Sequence, residues 1–219
     1  MATLKKLLEY DTKSIYPHKK ALSSSQFLLY EKSPAEFYVK YELGAKQENS
    51  LPMMIGSIFS AAYADRSFPF VEHLTALGCT VSFVETFGKA LAKLPVVKGG
   101  VPETPIWAKY DGWKFRATLD DWVEERGIDI ENKTGQKPWT VTRVNESDQI
   151  TFQAWAVWKT YGRPPHKIIL NWWNTRIKSY ADVRTFETSR TVSECMAFEK
   201  RVAVVIENLN AKNFTNSFR

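Results

Sequence analysis

Apolar and polar residues alternate most cleanly from 113 to 121, where Trp113, Phe115, Ala117 and Leu119 interleave with Lys114, Arg116, Thr118 and Asp120. A period of two marks a strand with one buried face. The alternation returns at 128–131, where Ile128 and Ile130 are set against Asp129 and Glu131, and the run closes on Lys133, Thr134 and Gly135. Upstream, 106–110 reads as another strand, and Asp111-Gly112 between it and the 113–121 run predicts a two-residue hairpin. The consecutive apolar run HKIILNWW at 166–173 predicts a strand covered on both faces.

The remaining segments carry helical spacing. Ser23, Ser24 and Ser25 offer N-caps to a helix that buries Phe27, Leu28, Tyr30, Phe37, Tyr38 and Tyr41 around a break at Pro34. After a polar linker at 44–52 comes a second helix, 53–67, and then an amphipathic pattern over 70–94 interrupted near Gly78. Glycine and proline cluster at 95–105, predicting a loop before the sheet begins, and 137–148 also has the composition of a loop. Ser147 or Asp148 caps a further helix that ends at Gly162 and presents Phe152, Trp155, Ala156 and Trp158 as an apolar face. Residues 174–190 read as polar connections or an edge hairpin containing Arg176, Lys178, Arg184 and Arg190, and 193–210 as a final helix. The order gives one α/β domain over 1–219 with a central mixed sheet flanked by helices: an arm at 1–22, a mainly helical part at 23–100, the sheet with its helix at 101–175, and a connection with a C-terminal helix at 176–219.

Composition narrows the class. With 44% apolar and 14% aromatic residues over 219 positions, the chain buries a real core and is not disordered. A formal charge of +6, from 30 bases and 24 acids, permits a nucleic-acid partner without requiring one. Cys79 and Cys195 lie far apart with no metal-ligand spacing, and read as reduced packing residues. No stretch resembles a signal peptide or a membrane span, so the expectation is a soluble cytoplasmic protein.

The chemistry concentrates where the two alternating runs end. Eleven positions separate Asp120 from Glu131, enough for adjacent strands to bring both carboxylates to one end of a sheet, and Lys133 projects from the same strand face as Glu131. Two carboxylates there suit Mg²⁺ or Mn²⁺, and the lysine suits a developing phosphate charge. Taken on spacing alone, two solvated strand-end acids beside a surface lysine are the commoner outcome.

The flanking residues favour the sharper reading. LDD followed by IENKTGQ resembles the Asp and (Asp/Glu)-x-Lys-Thr-Gly elements of the PD-(D/E)XK nuclease superfamily in its RecB-like exonuclease branch. The serine-rich helix at 23–41 resembles that branch's N-terminal helix, with Ser33 where members holding an iron-sulfur cluster have a cysteine, so no cluster is expected. The helix with Gly56 resembles the one carrying Gly-x-x-x-His, but Ser60 stands where the family's metal-binding histidine would be. In the helix after 147, Gln149 matches the first position of Gln-x-x-x-Tyr, and Gln153 replaces the tyrosine.

The resemblance implies a restriction-endonuclease-like core and a stand-alone, phage-type or CRISPR-associated-like, Mg²⁺- or Mn²⁺-dependent deoxyribonuclease, exonuclease before endonuclease. Asp120, Glu131 and the backbone carbonyl of Asn132 would hold the metal, and Lys133 would assist the water. The family's glutamine approaches the substrate backbone, so Gln149, with Gln153 on the same helix face, would contact the DNA; apart from the resemblance, the basic Lys137 and Arg143 of the 137–148 loop are read as further contacts to its backbone. The resemblance further implies service in DNA recombination, repair or phage DNA metabolism beside a recombination or single-strand-annealing protein. The alternatives are a structure-specific or restriction-like endonuclease and a DNA-binding or assembly protein that has lost its chemistry.

Overall fold

A three-residue strand, β1 (Ala21–Ser23), ends on the N-cap of helix α1 (Ser24–Lys32). In this computed structural model, which describes residues 20–45, 49–95, 97–176 and 180–215, the Ser23 hydroxyl accepts from the Gln26 amide while the Gln26 side chain accepts from that of Ser23. This reciprocal box satisfies two amides that a helix start leaves free. Pro34 opens α2 (Pro34–Phe37), which widens into a π turn, Tyr38–Glu42. Next come α3 (Leu51–Ala64), α4 (Phe70–Ala76) and α5 (Val81–Lys93), the last two separated at Gly78 as the pattern predicts. Almost all of the arm, and Lys178, lie outside the described residues.

β2 (Val101–Tyr110) and β3 (Trp113–Val123) form the predicted hairpin. Asp111 and Gly112 both have positive φ, 46° and 74°, the twist that a two-residue turn between right-twisted strands requires. The expected loop at 95–105 is shorter than its composition predicts, because β2 already begins at Val101 and contains Pro102 and Pro105. An edge strand tolerates proline, since one of its sides needs no donor, and β2 pairs with β3 alone. The rest of the chain is β4 (Ile128–Gly135), α6 (Val141–Asn145), α7 (Asp148–Tyr161), β5 (Lys167–Asn174), β6 (Val183–Thr188) and α8 (Val192–Asn210). α6 corrects the loop reading of 137–148: the Thr140 hydroxyl accepts from the Arg143 amide and caps a short helix.

The sheet is mixed, with order β1-β3-β4-β5-β6 and β2 attached to β3. β2 lines one edge of β3 along its length, so the opposite edge is shared. β1 takes its start in parallel (Ala21–Lys114 to Ser23–Arg116) and β4 takes its end antiparallel. β4 and β5 are parallel and joined through α7, and β6 closes the far edge as the hairpin partner of β5.

One face of the sheet packs on α1, α7 and α8. There Phe27, Phe115, Phe152, Trp155 and Phe198 form a chain of ring contacts with centroids 5.2–6.4 Å apart. The other face carries α3 and α5, where Phe59 and Phe87 meet Trp173 of β5. Arg190 is buried and donates to the carbonyls of Val144 and Asn145 and to the Thr151 hydroxyl, so it ties α6 to α7. Among the described residues no helix is long and apolar enough to cross a membrane.

Candidate active site

β3 and β4 pair only through Asp121–Ile130, Trp122–Asp129 and Val123–Ile128, and then part. Asp120 stands at this fork. Its Oδ2 accepts from the backbone N–H of Asn132 at 2.6 Å. Glu131, which would face Asp120 had the ladder continued, is 2% exposed and held on three sides. Its Oε1 accepts from Gln149 Nε2 at 2.7 Å and its Oε2 from Gln153 Nε2 at 2.6 Å, while the Lys133 ammonium pairs with Oε1. Residues four apart share a helix face, which is why one side of α7 delivers both amides.

Asp120, Glu131, Lys133, Gln149 and Gln153 therefore meet in one place, and both glutamines engage Glu131. The side chain of Asn132 points away, its Oδ1 accepting from Asn171 Nδ2 at 3.0 Å, so only its backbone lies at the fork. Lys137 is exposed. The Arg143 guanidinium donates to the carbonyls of Lys137 and Pro138 and lies 4.1 Å from the Trp139 ring centre, so it is held by its own loop. Ser60 is half-buried on α3, and Gly56, one turn earlier, leaves just enough room for Thr134, whose Oγ1 would lie 3.5 Å from a Cβ.

Neighbouring acids diverge at the fork. Asp121 turns to the α3 side and accepts from the Tyr63 hydroxyl at 3.1 Å. Gly100 lies directly behind it, where a Cβ would come within 2.3 Å of the Asp121 carboxylate. Burial raises the Asp121 pKa despite the hydrogen bond from Tyr63.

Two further acids belong to the site and were not singled out from the sequence. Asp129, on the same face of β4 as Glu131, is fully buried, and neither carboxylate oxygen has a hydrogen-bond partner. Its period-two spacing with Glu131 and Lys133 was the available signal. Glu103 falls opposite Asp120, between the pairs Thr104–Leu119 and Pro102–Asp121, with a positive φ of 50° that side chains other than glycine seldom adopt. Counting the hairpin register back from Asp111-Gly112 locates it, but the proline-rich composition hid that it was in a strand.

The electrostatics follow from this crowding. Burial, then the Glu131 charge, raises the Asp120 carboxyl well above the usual range, against the pull of Lys133 and the Asn132 amide. Burial and the charges of Glu131 and Asp120 do the same to Asp129. Glu103 is raised by burial and by Glu131. Burial works to lower the Lys133 pKa, but the Glu131 and Asp120 charges outweigh it and raise it.

Among the described residues no three His, Cys, Asp or Glu side chains surround a common point; in this arrangement Lys133 and the two amides enclose Glu131. The donor set nevertheless fits a hard divalent cation, because every acceptor at the fork is an oxygen. Acceptors also outnumber donors: both oxygens of Asp129 and Oε1 of Gln153 are buried without partners.

No protein-family model matches the chain, and no curated protein matches it by sequence. Among solved structures it is similar to a candidate exonuclease from Eubacterium rectale, with a TM-score of 0.61 and 12% identity over 93% of this chain and 84% of that one. A weaker likeness is to an alkaline exonuclease, LHK-Exo, from Laribacter hongkongensis, at a TM-score of 0.44 and 15% identity over 90% and 91% of the two chains. At such identities the likeness is one of fold. The chain has an exonuclease-like α/β fold, a mixed six-stranded sheet flanked by helices.

Proposed function

We propose that this protein is a divalent-metal-dependent deoxyribonuclease that hydrolyses phosphodiester bonds, acting as an exonuclease in DNA recombination, repair or phage DNA metabolism. The observation that carries the reading is the meeting of Asp120, Glu131 and Lys133 at the fork between β3 and β4, with Glu131 held by two amides from α7. The exonuclease-like fold supports it, as does the resemblance of LDD and IENKTGQ to the RecB-like branch of PD-(D/E)XK nucleases.

Asp120, Glu131 and the Asn132 carbonyl would hold Mg²⁺ or Mn²⁺. A bound cation supplies a Lewis acid for the scissile phosphate and lowers the pKa of water. The residues themselves do the rest. Gln149 and Gln153 fix the orientation of Glu131, so their role in this reading is positioning rather than contact with DNA. Lys133 leaves Glu131 to stabilise charge on the phosphate. Strand separation at the fork gives the phosphate its approach.

A second reading, a DNA-binding protein without hydrolysis, is favoured by Ser60 in place of the family's histidine and by the engagement of Glu131 with Lys133. End-labelled linear DNA and covalently closed DNA incubated with Mg²⁺, with Mn²⁺ or with chelator separate the readings. Metal-dependent release of nucleotides from free ends alone is the expected result. Cutting of closed circles would make the enzyme an endonuclease, and cleavage undiminished in Asp120→Ala, Glu131→Ala and Lys133→Ala would overturn the site.

A further inference from the structure

Among the described residues no helix covers the outer face of the β2–β3 hairpin around Trp107, and its register lines up an unusual set of side chains. Arg116 and Lys114 occupy even positions of β3, on the face opposite Phe115; nearer the fork the alternation turns over, since Phe115 meets α7 whereas Asp121 turns to α3. Opposite them on β2 stand Trp107 and Lys109, in the pairs Trp107–Arg116 and Lys109–Lys114. Trp107 is 49% exposed, a large apolar area to leave in water, and the Arg116 guanidinium carbon lies 5.8 Å from its ring centre. Lys109, Lys114 and Arg116 are all exposed. The ladder runs on to Glu103, between Thr104–Leu119 and Pro102–Asp121, and Glu103 lies near enough to both Arg116 and Glu131 to feel their charges, which joins the stripe to the fork. At ~3.4 Å per residue the stripe reaches from the fork to Arg116 in ~14 Å and to Lys114 in ~20 Å.

We propose that this stripe is the track for a single strand of nucleic acid leading to the fork, with Trp107 stacking on a base and Arg116, Lys114 and Lys109 facing successive phosphates. A basic strip with an exposed aromatic is the arrangement that takes single strands without sequence preference, since every base offers a π face. Charge complementarity selects the occupant. Three cations flank the indole; Asp111 stands alone at the turn, and the other acids of the hairpin gather at the fork, where a cation would join them. The track deepens the nuclease reading and rests on it for the direction in which the strand is led, but binding along the stripe is measurable by itself.

The test is binding of a labelled single-stranded oligonucleotide to the full chain in Ca²⁺, followed by anisotropy over a range of salt. Trp107→Ala is expected to weaken binding roughly tenfold, within the range for one base stack, and Trp107→Phe to restore most of it. Arg116→Ala and Lys114→Ala are each expected to reduce the slope of log affinity against log salt by about 0.7, the single-strand value per phosphate contact. Lys200→Glu, a larger change of charge on α8, serves as control and is expected to leave affinity and slope as they were. Equal affinity in the wild type and the stripe variants, or a loss equally large in Lys200→Glu, would overturn the track. Cleavage by the wild type is scored separately: binding through the stripe without hydrolysis sinks the nuclease reading and leaves the track, whereas hydrolysis with unaltered stripe variants does the reverse.

Discussion

Helix α7 has two sides, and they obey different rules. On one side Phe152 and Trp155 interlock with Phe27, Phe115 and Phe198, and the Trp155 indole N–H has a partner in Glu199 at 3.0 Å. On the other side Gln149 and Gln153 reach Glu131, and around them buried oxygens lack partners and carboxyls are pushed away from their ordinary pKa values. Burying unpaired polar atoms costs a fold several kcal/mol at most sites. The aromatic side offsets that cost and fixes the helix, so that the polar side is held where it would not settle alone. Stability and chemistry are thus segregated by helical periodicity within fourteen residues.

The sharpest way to break this contrast is to truncate a core ring. Phe152→Ala is expected to lower the unfolding free energy by about 3–5 kcal/mol, the usual cost of emptying a buried phenylalanine site, as read from urea denaturation. A loss under about 1 kcal/mol would mean that the aromatic side does not carry the stability assigned to it. Next comes the polar side. Gln149→Ala and Gln153→Ala are expected to weaken Mn²⁺ binding roughly 10- to 100-fold, as the loss of groups that orient a metal ligand does, with little change in melting temperature. Isothermal titration calorimetry with Mn²⁺ checks this, and unchanged affinity would leave the two amides as a polar stripe without function.

The smallest expected effect concerns Asp129. Its native pKa is raised by burial, so in chelator the unfolded chain releases its proton first as pH climbs out of the ordinary carboxylate range. Stability then falls with rising pH until the native group also ionises. Asp129→Asn removes this dependence and is expected to gain about 1–2 kcal/mol in neutral, metal-free buffer. Melting curves against pH with and without chelator measure it; identical pH dependence in the wild type and the variant would show that Asp129 titrates normally.

Much of this arrangement was legible in the chain. The Asp111-Gly112 turn, the period-two runs on either side of the fork, the caps at Ser23 and Ser147 and the Gly162 stop all express local chemistry, and each lies where the pattern predicts. The juxtaposition of Asp120, Glu131 and Lys133 was legible too, since it needs only two strands and a short connection. What escaped depended on tertiary pairing. Pro102 and Pro105 look like loop residues until β2 is known to be an edge. Arg143 looks free until its loop folds back beneath it. Sequence periodicity also cannot distinguish Asp120 from Asp121, because the choice of which acid enters the fork is made by Tyr63 and Gly100, both remote in the chain.

The bond from Asn132 to Asp120 replaces the rung that the ladder loses where β3 and β4 separate. One carboxylate oxygen is therefore a splint between two strands as well as a candidate donor to a cation. Asparagine at this position keeps an oxygen to accept the amide while discarding the negative charge, and alanine discards both. The difference between the two variants isolates how much of the residue's importance is architectural and how much is ionic.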